Sequence, residues 1–229
     1  MRYLITPSLY GSYSYYKNTD YCKFCEDMDK AIEAEKKAYQ DWLNTLNKVK
    51  TPTTEAQQKG IDFENAVQEL CENYEGVHLE DEKLVFGNEV DFILTSMLPE
   101  AEAKSAFEIA KKVVKGIWQE TLQKEVDNYK LYGRADVIKQ NYIYDIKRVS
   151  QYDVGKYQKS IQHLLYMECA DIDNFEYLIA DKSGNIYSEY YAREPQEVLL
   201  GKINEMVEFI KSVPEFNKPF NENWRAKDE

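Results

Sequence analysis

The stretch GRADVIKQNYIYDIK, residues 133–147, alternates apolar and polar side chains on either side of Gln140-Asn141. Alternation with a period of two is typical of β-strands, and two polar residues between such runs predict a tight hairpin turn. A two-residue turn sets Asp136 opposite Asp145, and opposed side chains have Cβ atoms about 5 Å apart. The alternation also predicts that one face of the hairpin carries five side chains: Arg134, Asp136, Ile138, Asp145 and Lys147.

The opposed carboxylates of Asp136 and Asp145 indicate a cation site. Two carboxylates at that distance repel each other, and aspartate is already disfavoured in strands. A divalent cation resolves the repulsion, and oxygen ligands suit Mg²⁺ or Mn²⁺. The carbonyl of Ile146 is a further candidate ligand. Lys147 emerges beside this site, where a cation can orient water or stabilise charge on phosphorus, so the pattern predicts metal-assisted phosphodiester hydrolysis.

A helix upstream of the hairpin supplies another candidate carboxylate. Thr54 and Gln57 match a capping box, which predicts a helix from there to about Tyr74. Its apolar stripe comprises Phe63, Ala66, Val67, Leu70, Cys71 and Tyr74. Glu64 falls about a quarter-turn from the centre of that stripe, given about 100° per residue, so it can point into a cleft beside the core. Asp62 and Glu69 stay open as alternatives.

Four segments, in order, resemble the PD-(D/E)XK nuclease superfamily, in its RecB-like and lambda-exonuclease-like branch. They are residues 60–64 (GIDFE), 133–136 (GRAD), 145–147 (DIK) and 162–166 (QHLLY), and residues 6–10 (TPSLY) faintly resemble the start of RecB-like nucleases. The resemblance covers roughly residues 57–170. It implies an α/β fold with a PD-(D/E)XK restriction-endonuclease-like core, a mixed central sheet flanked by helices, here with an N-terminal helical extension.

The resemblance also implies roles. Glu64, Asp136 and Asp145 would bind Mg²⁺ or Mn²⁺, Lys147 would assist the attack, and Gln162 and Tyr166 would support the site or contact DNA. The implied activity is that of a metal-dependent deoxyribonuclease, by preference an exonuclease of recombination, repair or phage DNA metabolism. A recombination partner protein and a homo-oligomer are compatible with it. The alternatives are an inert nucleic-acid-binding or scaffold protein of the same fold, and a site- or structure-specific endonuclease.

Charge is distributed unevenly along the chain. The net charge of −12 argues against nucleic-acid binding when taken whole. Residues 130–159, however, carry seven basic and three acidic side chains, a net charge of +4. A local basic stripe on an acidic body can hold a phosphate backbone. Arg134, Arg148 and Lys156 are therefore candidate DNA contacts, with a solvated basic face as the open alternative.

The chain of 229 residues suits one domain. We expect an extension over 1–52, with a short-stranded or irregular lead-in and a long helix, then a catalytic core over 53–193 and a C-terminal helix and tail over 194–229. Within these, the pattern predicts helices at 26–49, 54–74, 99–115, 155–170 and 195–212, strands at 117–126, 131–139, 142–149, 174–181 and 185–192, and a loose tail after Pro214.

Cysteine usage and hydropathy indicate the compartment. Cys22 and Cys25 form one Cys-x-x-Cys, but no second pair exists, so free thiols are favoured over a metal site completed by Cys71 or Cys169. No run approaches the roughly 20 apolar residues of a membrane span, and the N-terminus has no apolar signal segment. The sequence therefore predicts a cytoplasmic protein without a membrane anchor.

Overall fold

A computed structural model describes residues 2–19, 28–72 and 98–227, together with the backbone of 77–80 and 83–86. Within these ranges the elements are β1 (Tyr3–Ile5), α1 (Pro7–Asn18), α2 (Met28–Leu46), α3 (Glu55–Glu72), β2 (Val77–Glu80), β3 (Lys83–Phe86), α4 (Glu100–Val113), β4 (Ile117–Val126), β5 (Tyr129–Lys139), β6 (Tyr142–Val149), α5 (Gln162–Ala170), β7 (Asn174–Asp181), β8 (Ile186–Ala192), α6 (Gln196–Ser212) and α7 (Pro214–Asn223).

Six of the strands form one mixed sheet. Its path runs β1-β5-β6-β7-β8, and β4 also pairs with β5. The β1–β5 and β6–β7 pairs are parallel, whereas the β4–β5, β5–β6 and β7–β8 pairs are antiparallel. The helix α5 connects β6 to its parallel neighbour β7, as a crossover between parallel strands requires. The predicted α/β class with a mixed sheet is confirmed.

Helices cover both faces of the sheet and create two apolar cores. The larger core joins α1, α2, α5, α6 and α7 to one face, with Phe175, Leu165 and Trp42 among its buried members. The smaller core joins α3 and α4 to the other face through Phe63, Val137 and their neighbours. None of the described helices has the length and apolar content needed to cross a membrane.

The predicted strands agree closely with the structure, and β4, β6 and β7 match residue for residue. The helix predicted over 155–170 is too long, because α5 begins only at Gln162 and residues 154–159 form turns. Gly155 has a φ of +74°, which lies outside the helical region. Glu189 fixes this loop by accepting hydrogen bonds from Tyr152 Oη at 2.8 Å and from the Gly155 amide at 3.1 Å.

Two terminal segments are more ordered than the sequence predicted. The lead-in contains the expected short strand, but also α1, where Thr6 caps the amide of Leu9 at 3.1 Å and Pro7 occupies the first turn. The tail predicted to be loose forms α7 instead. Its Phe216 and Phe220 are buried, so aromatic burial outweighs the polar composition of the segment.

The cysteines divide between described and undescribed residues. Cys71 and Cys169 are half-buried free thiols, and burial raises the pKa of each to about 12. They are therefore protonated and unreactive at neutral pH. Cys22 and Cys25 lie outside the described residues.

Candidate active site

The two edges of β5 are paired unequally. One edge carries β4 along nearly its whole length, from Tyr129 to Ile138. The other edge pairs with β1 over its first three residues and with β6 over its last three, 137–139. Among the described strands, none pairs with residues 132–136 on that side. A cleft of about 540 Å³ opens at this gap, lined by Thr6, Pro7, Ser8, Glu64, Gln119, Tyr132, Gly133, Arg134, Asp136, Lys147, Ser160, Gln162 and Tyr166.

The hairpin has the predicted register. Lys139 pairs with Tyr142 and Val137 with Tyr144, which would set Asp136 opposite Asp145. The ladder stops one pair earlier, because β5 and β6 separate at that point. The carboxylate of Asp136 accepts a hydrogen bond from the Ile146 amide at 2.8 Å, so a side chain takes the place of a strand contact.

The strand β5 also changes phase at Asp136, which corrects the prediction of a single hairpin face. Ala135 and Ile138 both pack against the larger core, although strict alternation would place them on opposite faces, and Val137 belongs to the smaller core. On the neighbouring strand, Gln119 has a φ of +54° and interrupts the β4–β5 ladder opposite Asp136. A left-handed glutamine is strained, and such strain is typical of functional sites.

Asp145 is the most enclosed of the carboxylates, with no exposed surface. Its Oδ1 accepts a hydrogen bond from Gln162 Nε2 at 2.6 Å. Its Oδ2 forms an ion pair with Lys147 but accepts no hydrogen bond from the described residues. Burial raises the pKa of Asp145, while Lys147 and Gln162 oppose that shift. The buried Oδ2 therefore has a lone pair available for a further cation.

Glu64 reaches the cleft from α3, as its position beside the apolar stripe predicted. Gln119 donates a hydrogen bond to its carboxylate. Burial raises the pKa of Glu64, and burial followed by the charge of Asp145 raises the pKa of Asp136 well above its ordinary value. The three carboxylates thus share one negative region that a positive charge would stabilise.

Lys147 supplies positive charge beside these carboxylates. Its side chain is 30% exposed, and the cleft provides that access. Although burial opposes the charged form, Asp145 and Asp136 raise the pKa of Lys147 above its ordinary value. Lys147 is therefore a permanent cation at neutral pH, suited to orienting water or stabilising negative charge rather than to accepting a proton.

The donor set fits a hard divalent cation, since it consists of carboxylate oxygens. It includes the buried Oδ2 of Asp145, which is ion-paired with Lys147 and accepts no hydrogen bond from the described residues. The described residues nevertheless contain no group of three or more histidine, cysteine, aspartate or glutamate side chains already arranged to hold a metal ion. Gln119 and Lys147 occupy oxygens of Glu64 and Asp145 in this arrangement. The Mg²⁺ or Mn²⁺ site therefore stays a prediction, which rests on the chemistry of these carboxylates.

Tyr166 and Gly133 fit together beneath the cleft. The buried Tyr166 donates a hydrogen bond to the carbonyl of Arg134 at 2.9 Å, which satisfies the unpaired edge of β5. Gln162, one helical turn earlier, lies 3.3 Å from the Tyr166 hydroxyl. A Cβ on residue 133 would overlap the Tyr166 ring. Gln162 therefore contacts Asp145 and Tyr166 contacts β5, while the role of both residues at a catalytic site stays a prediction.

The candidate DNA contacts fall in different places. Arg134 is exposed and lines the cleft. Lys156 is exposed in the loop before α5, outside the cleft lining, with its ammonium 5.8 Å from the Tyr157 ring centroid. Arg148 points to the opposite face, where it makes two hydrogen bonds, of 3.1 and 2.7 Å, to the buried Glu102. The alternation of β6 explains this, because Arg148 directly follows Lys147 and so lies on the other face.

Several exonucleases are among the solved structures that resemble the chain. A candidate exonuclease from Eubacterium rectale shares 14% identity over 99% of this chain and 90% of its own, with a TM-score of 0.49. The alkaline exonuclease LHK-Exo from Laribacter hongkongensis shares 8% identity over 95% and 90%, with a TM-score of 0.46. A phage-related exonuclease from Haemophilus somnus 129PT shares 15% over 79% and 92%, with a TM-score of 0.33.

No protein-family model and no curated protein sequence matches the chain. Because the TM-scores lie below 0.5, the assignment of the site rests on its own geometry.

The structure adds cleft residues that the sequence did not single out, namely Gln119, Tyr132 and Ser160. Gln119 carries no sequence signal, since a left-handed turn within a strand usually requires glycine or asparagine. Thr6 and Ser8 belong to the segment that faintly resembled the start of RecB-like nucleases. The structure places that segment at the cleft, where α1 begins.

Proposed function

We propose that the chain is a metal-dependent deoxyribonuclease that hydrolyses phosphodiester bonds in this cleft. The observation that carries the proposal is the convergence of Glu64, Asp136 and Asp145 with Lys147 at the gap in β5. Carboxylates around one cationic side chain match the needs of phosphoryl transfer, in which positioning and charge stabilisation do most of the work. Exonuclease action is the preferred mode, on the basis of the family resemblance.

In this proposal Glu64, Asp136 and Asp145 hold Mg²⁺ or Mn²⁺, and the Ile146 carbonyl is a further candidate ligand. When bound, the ion would activate water and polarise the phosphate. Lys147 carries its charge to the reacting phosphate and stabilises the negative charge that develops there. Gln162 fixes Asp145 by its hydrogen bond of 2.6 Å, so that the carboxylate keeps its orientation.

Two features of the cleft suit a phosphate backbone. Arg134 is an exposed cation on the wall next to Asp136. The helix α1 begins at the cleft with Thr6 and Pro7, and the first turn of a helix carries a partial positive charge that favours phosphate. Lys156 is proposed as a more distant contact. Arg148 is not proposed, because Glu102 already neutralises it.

The deciding experiment compares linear and circular DNA, each single- and double-stranded, with Mg²⁺ or Mn²⁺. We expect cutting of linear substrates that requires the metal and falls at least about a hundredfold in Lys147→Ala and Asp136→Asn. Lys182→Gln, in the β7–β8 turn away from the cleft, should cut normally. Unchanged cutting by both site variants would exclude this cleft, and equal cutting of circular DNA would exclude an exonuclease.

Calorimetric titration with Mn²⁺ gives a readout independent of cutting. We expect one site that weakens in Asp136→Asn. A recombination partner and a homo-oligomer remain predictions from the sequence.

A further inference from the structure

A row of exposed and half-buried side chains leaves the active cleft along the outer face of the β4–β5 ribbon. On β5, Lys130, Tyr132 and Arg134 alternate with buried Tyr129 and Leu131, and so lie on the face turned away from the larger core. Across the ladder, their partners on β4 are Glu125, Gln123 and Thr121, all exposed. We call these six residues the outer row.

The outer row joins two cavities. Tyr132 and Arg134 line the active cleft. Lys130, with Gln123 and Glu125, lines a second cavity of about 440 Å³, the distal pocket, whose other walls are Arg2, Lys124, Ala226 and Lys227. Residues 130 and 136 are six positions apart, which is about 20 Å along a strand. A ligand that follows the row from the cleft therefore reaches the distal pocket without leaving the surface.

Positive charge is concentrated along this path. Arg134, Arg2 and Lys227 lie on it, against Glu125, which Arg2 already contacts at 3.1 Å. Lys124 on the pocket wall is ion-paired with Glu168. The Nε atom of Arg2 is buried without a hydrogen-bond partner among the described residues. In a chain with a net charge of −12, such a path is complementary to a polyanion.

Tyr132 indicates which polyanion fits. Its ring is 39% exposed between two cationic side chains of the same row. An exposed ring between phosphate-binding cations is the arrangement that stacks on bases while the backbone is held by charge. Only an unpaired strand offers a base face to such a ring, since the bases of a duplex are already stacked on each other.

We propose that the outer row and the distal pocket bind one strand of DNA that runs from the active cleft, with Tyr132 stacked on a base. The proposal deepens the proposed nuclease function and rests on it. At about 3.4 Å per stacked nucleotide, the 20 Å path holds about six nucleotides beyond the reacting phosphate. Arg2 and Lys227 then contact phosphates at the far end of that segment.

Binding is measured by fluorescence anisotropy with labelled oligothymidylates of three and twelve nucleotides, in EDTA so that no cutting occurs. For the twelve-mer, the slope of log affinity against log salt is negative, and Arg2→Gln/Lys227→Gln should make it less steep by about 1.4. Each lost single-strand phosphate contact removes about 0.7 from the magnitude of the slope. The three-mer should be unaffected by these distal changes. Tyr132→Leu should weaken the twelve-mer by at least about fivefold and Tyr132→Phe much less.

The matched control is Lys182→Gln/Lys36→Gln, which removes two exposed charges that line neither cavity. An equal loss of slope in this control, or no loss in the distal variant, overturns the proposed path. The same dependence on Tyr132 for a blunt duplex overturns the single-strand assignment. If the wild type cuts DNA with Mg²⁺ but the distal variant keeps the wild-type salt slope, the path is refuted and the proposed nuclease function is not. If the distal variant changes the slope but the wild type cuts no DNA, the nuclease function is refuted and the path is not.

Discussion

Replacing Gly133 by alanine tests whether the floor of the cleft is set by the packing of Tyr166. The added Cβ would overlap Tyr166 Cε1 and lie 3.0 Å from Cδ1 and 3.1 Å from Cζ. Ordinary carbon contacts are about 3.5–4.0 Å, so the ring must retreat by at least about 1 Å. Its hydroxyl donates to the Arg134 carbonyl at 2.9 Å, and that shift would stretch the bond beyond hydrogen-bonding range.

Two costs add in the Gly133→Ala variant. Overpacking a filled core costs about 1–3 kcal/mol, and loss of the hydrogen bond that the buried Tyr166 hydroxyl donates costs about 1–3 kcal/mol. We therefore expect the free energy of unfolding to fall by about 3 kcal/mol. Activity should fall as well, because a displaced Tyr166 disturbs Gln162, which holds Asp145.

Urea denaturation and DNA cutting measure the two effects. Gly201→Ala, on α6 with no atom within 4 Å of the added Cβ, is the matched control and should stabilise the protein by up to about 1 kcal/mol. In a Tyr166→Leu background, which removes the ring, Gly133→Ala should cost much less than in the wild type. Equal costs in both backgrounds would refute the packing argument.

Three further predictions concern stability and the support of Asp145. Burial lowers the pKa of His163 to about 4, so between pH 6.5 and pH 4 the unfolded chain binds a proton that the folded chain does not bind. Urea denaturation should therefore show that the free energy of unfolding falls by about 2 kcal/mol from pH 8 to pH 5, and His163→Phe should abolish this loss. Arg148→Ala should lower the free energy of unfolding by about 3 kcal/mol, because the buried Glu102 loses its ion-pair partner. The salt dependence of DNA binding should stay unchanged, whereas an Arg148–phosphate contact would alter it. Gln162→Leu should lower kcat at least about tenfold in steady-state assays by freeing Asp145, and an unchanged kcat would deny Gln162 that role.

The hairpin could be predicted from the sequence because its signals are local. Period-two alternation and a polar turn determine both the strands and the register, and the structure confirms Lys139 opposite Tyr142. Helical spacing likewise placed Glu64 beside the core of α3, at the edge of the cleft. These predictions depend on residues that are near each other in the chain, where intrinsic geometry dominates.

Features decided by distant contacts could not be predicted. The tail after Pro214 looks polar, yet Phe216 packs on Trp42 with ring centroids 6.1 Å apart, and this partner is remote in sequence. Arg148 resembled a phosphate contact because it belongs to a basic segment. Only the fold brings Glu102 to it and removes it from the cleft.

The change in the alternation of β5 at Asp136 explains why the motif at residues 133–147 could be recognised in the sequence while the cleft could not. A regular strand would have continued both ladders through Asp136, placing β4 on one side and β6 on the other. The left-handed backbone of Gln119 interrupts the first, and the hydrogen bond from the Ile146 amide to Asp136 replaces the second. The same interruptions turn Asp136 toward Glu64 and Lys147, so a locally unfavourable backbone is the means by which the sheet opens. The strained backbone lies at Gln119, and no motif surrounds that residue. The catalytic motif can therefore be recognised in the sequence, whereas the backbone strain that positions Asp136 can be recognised only in the structure.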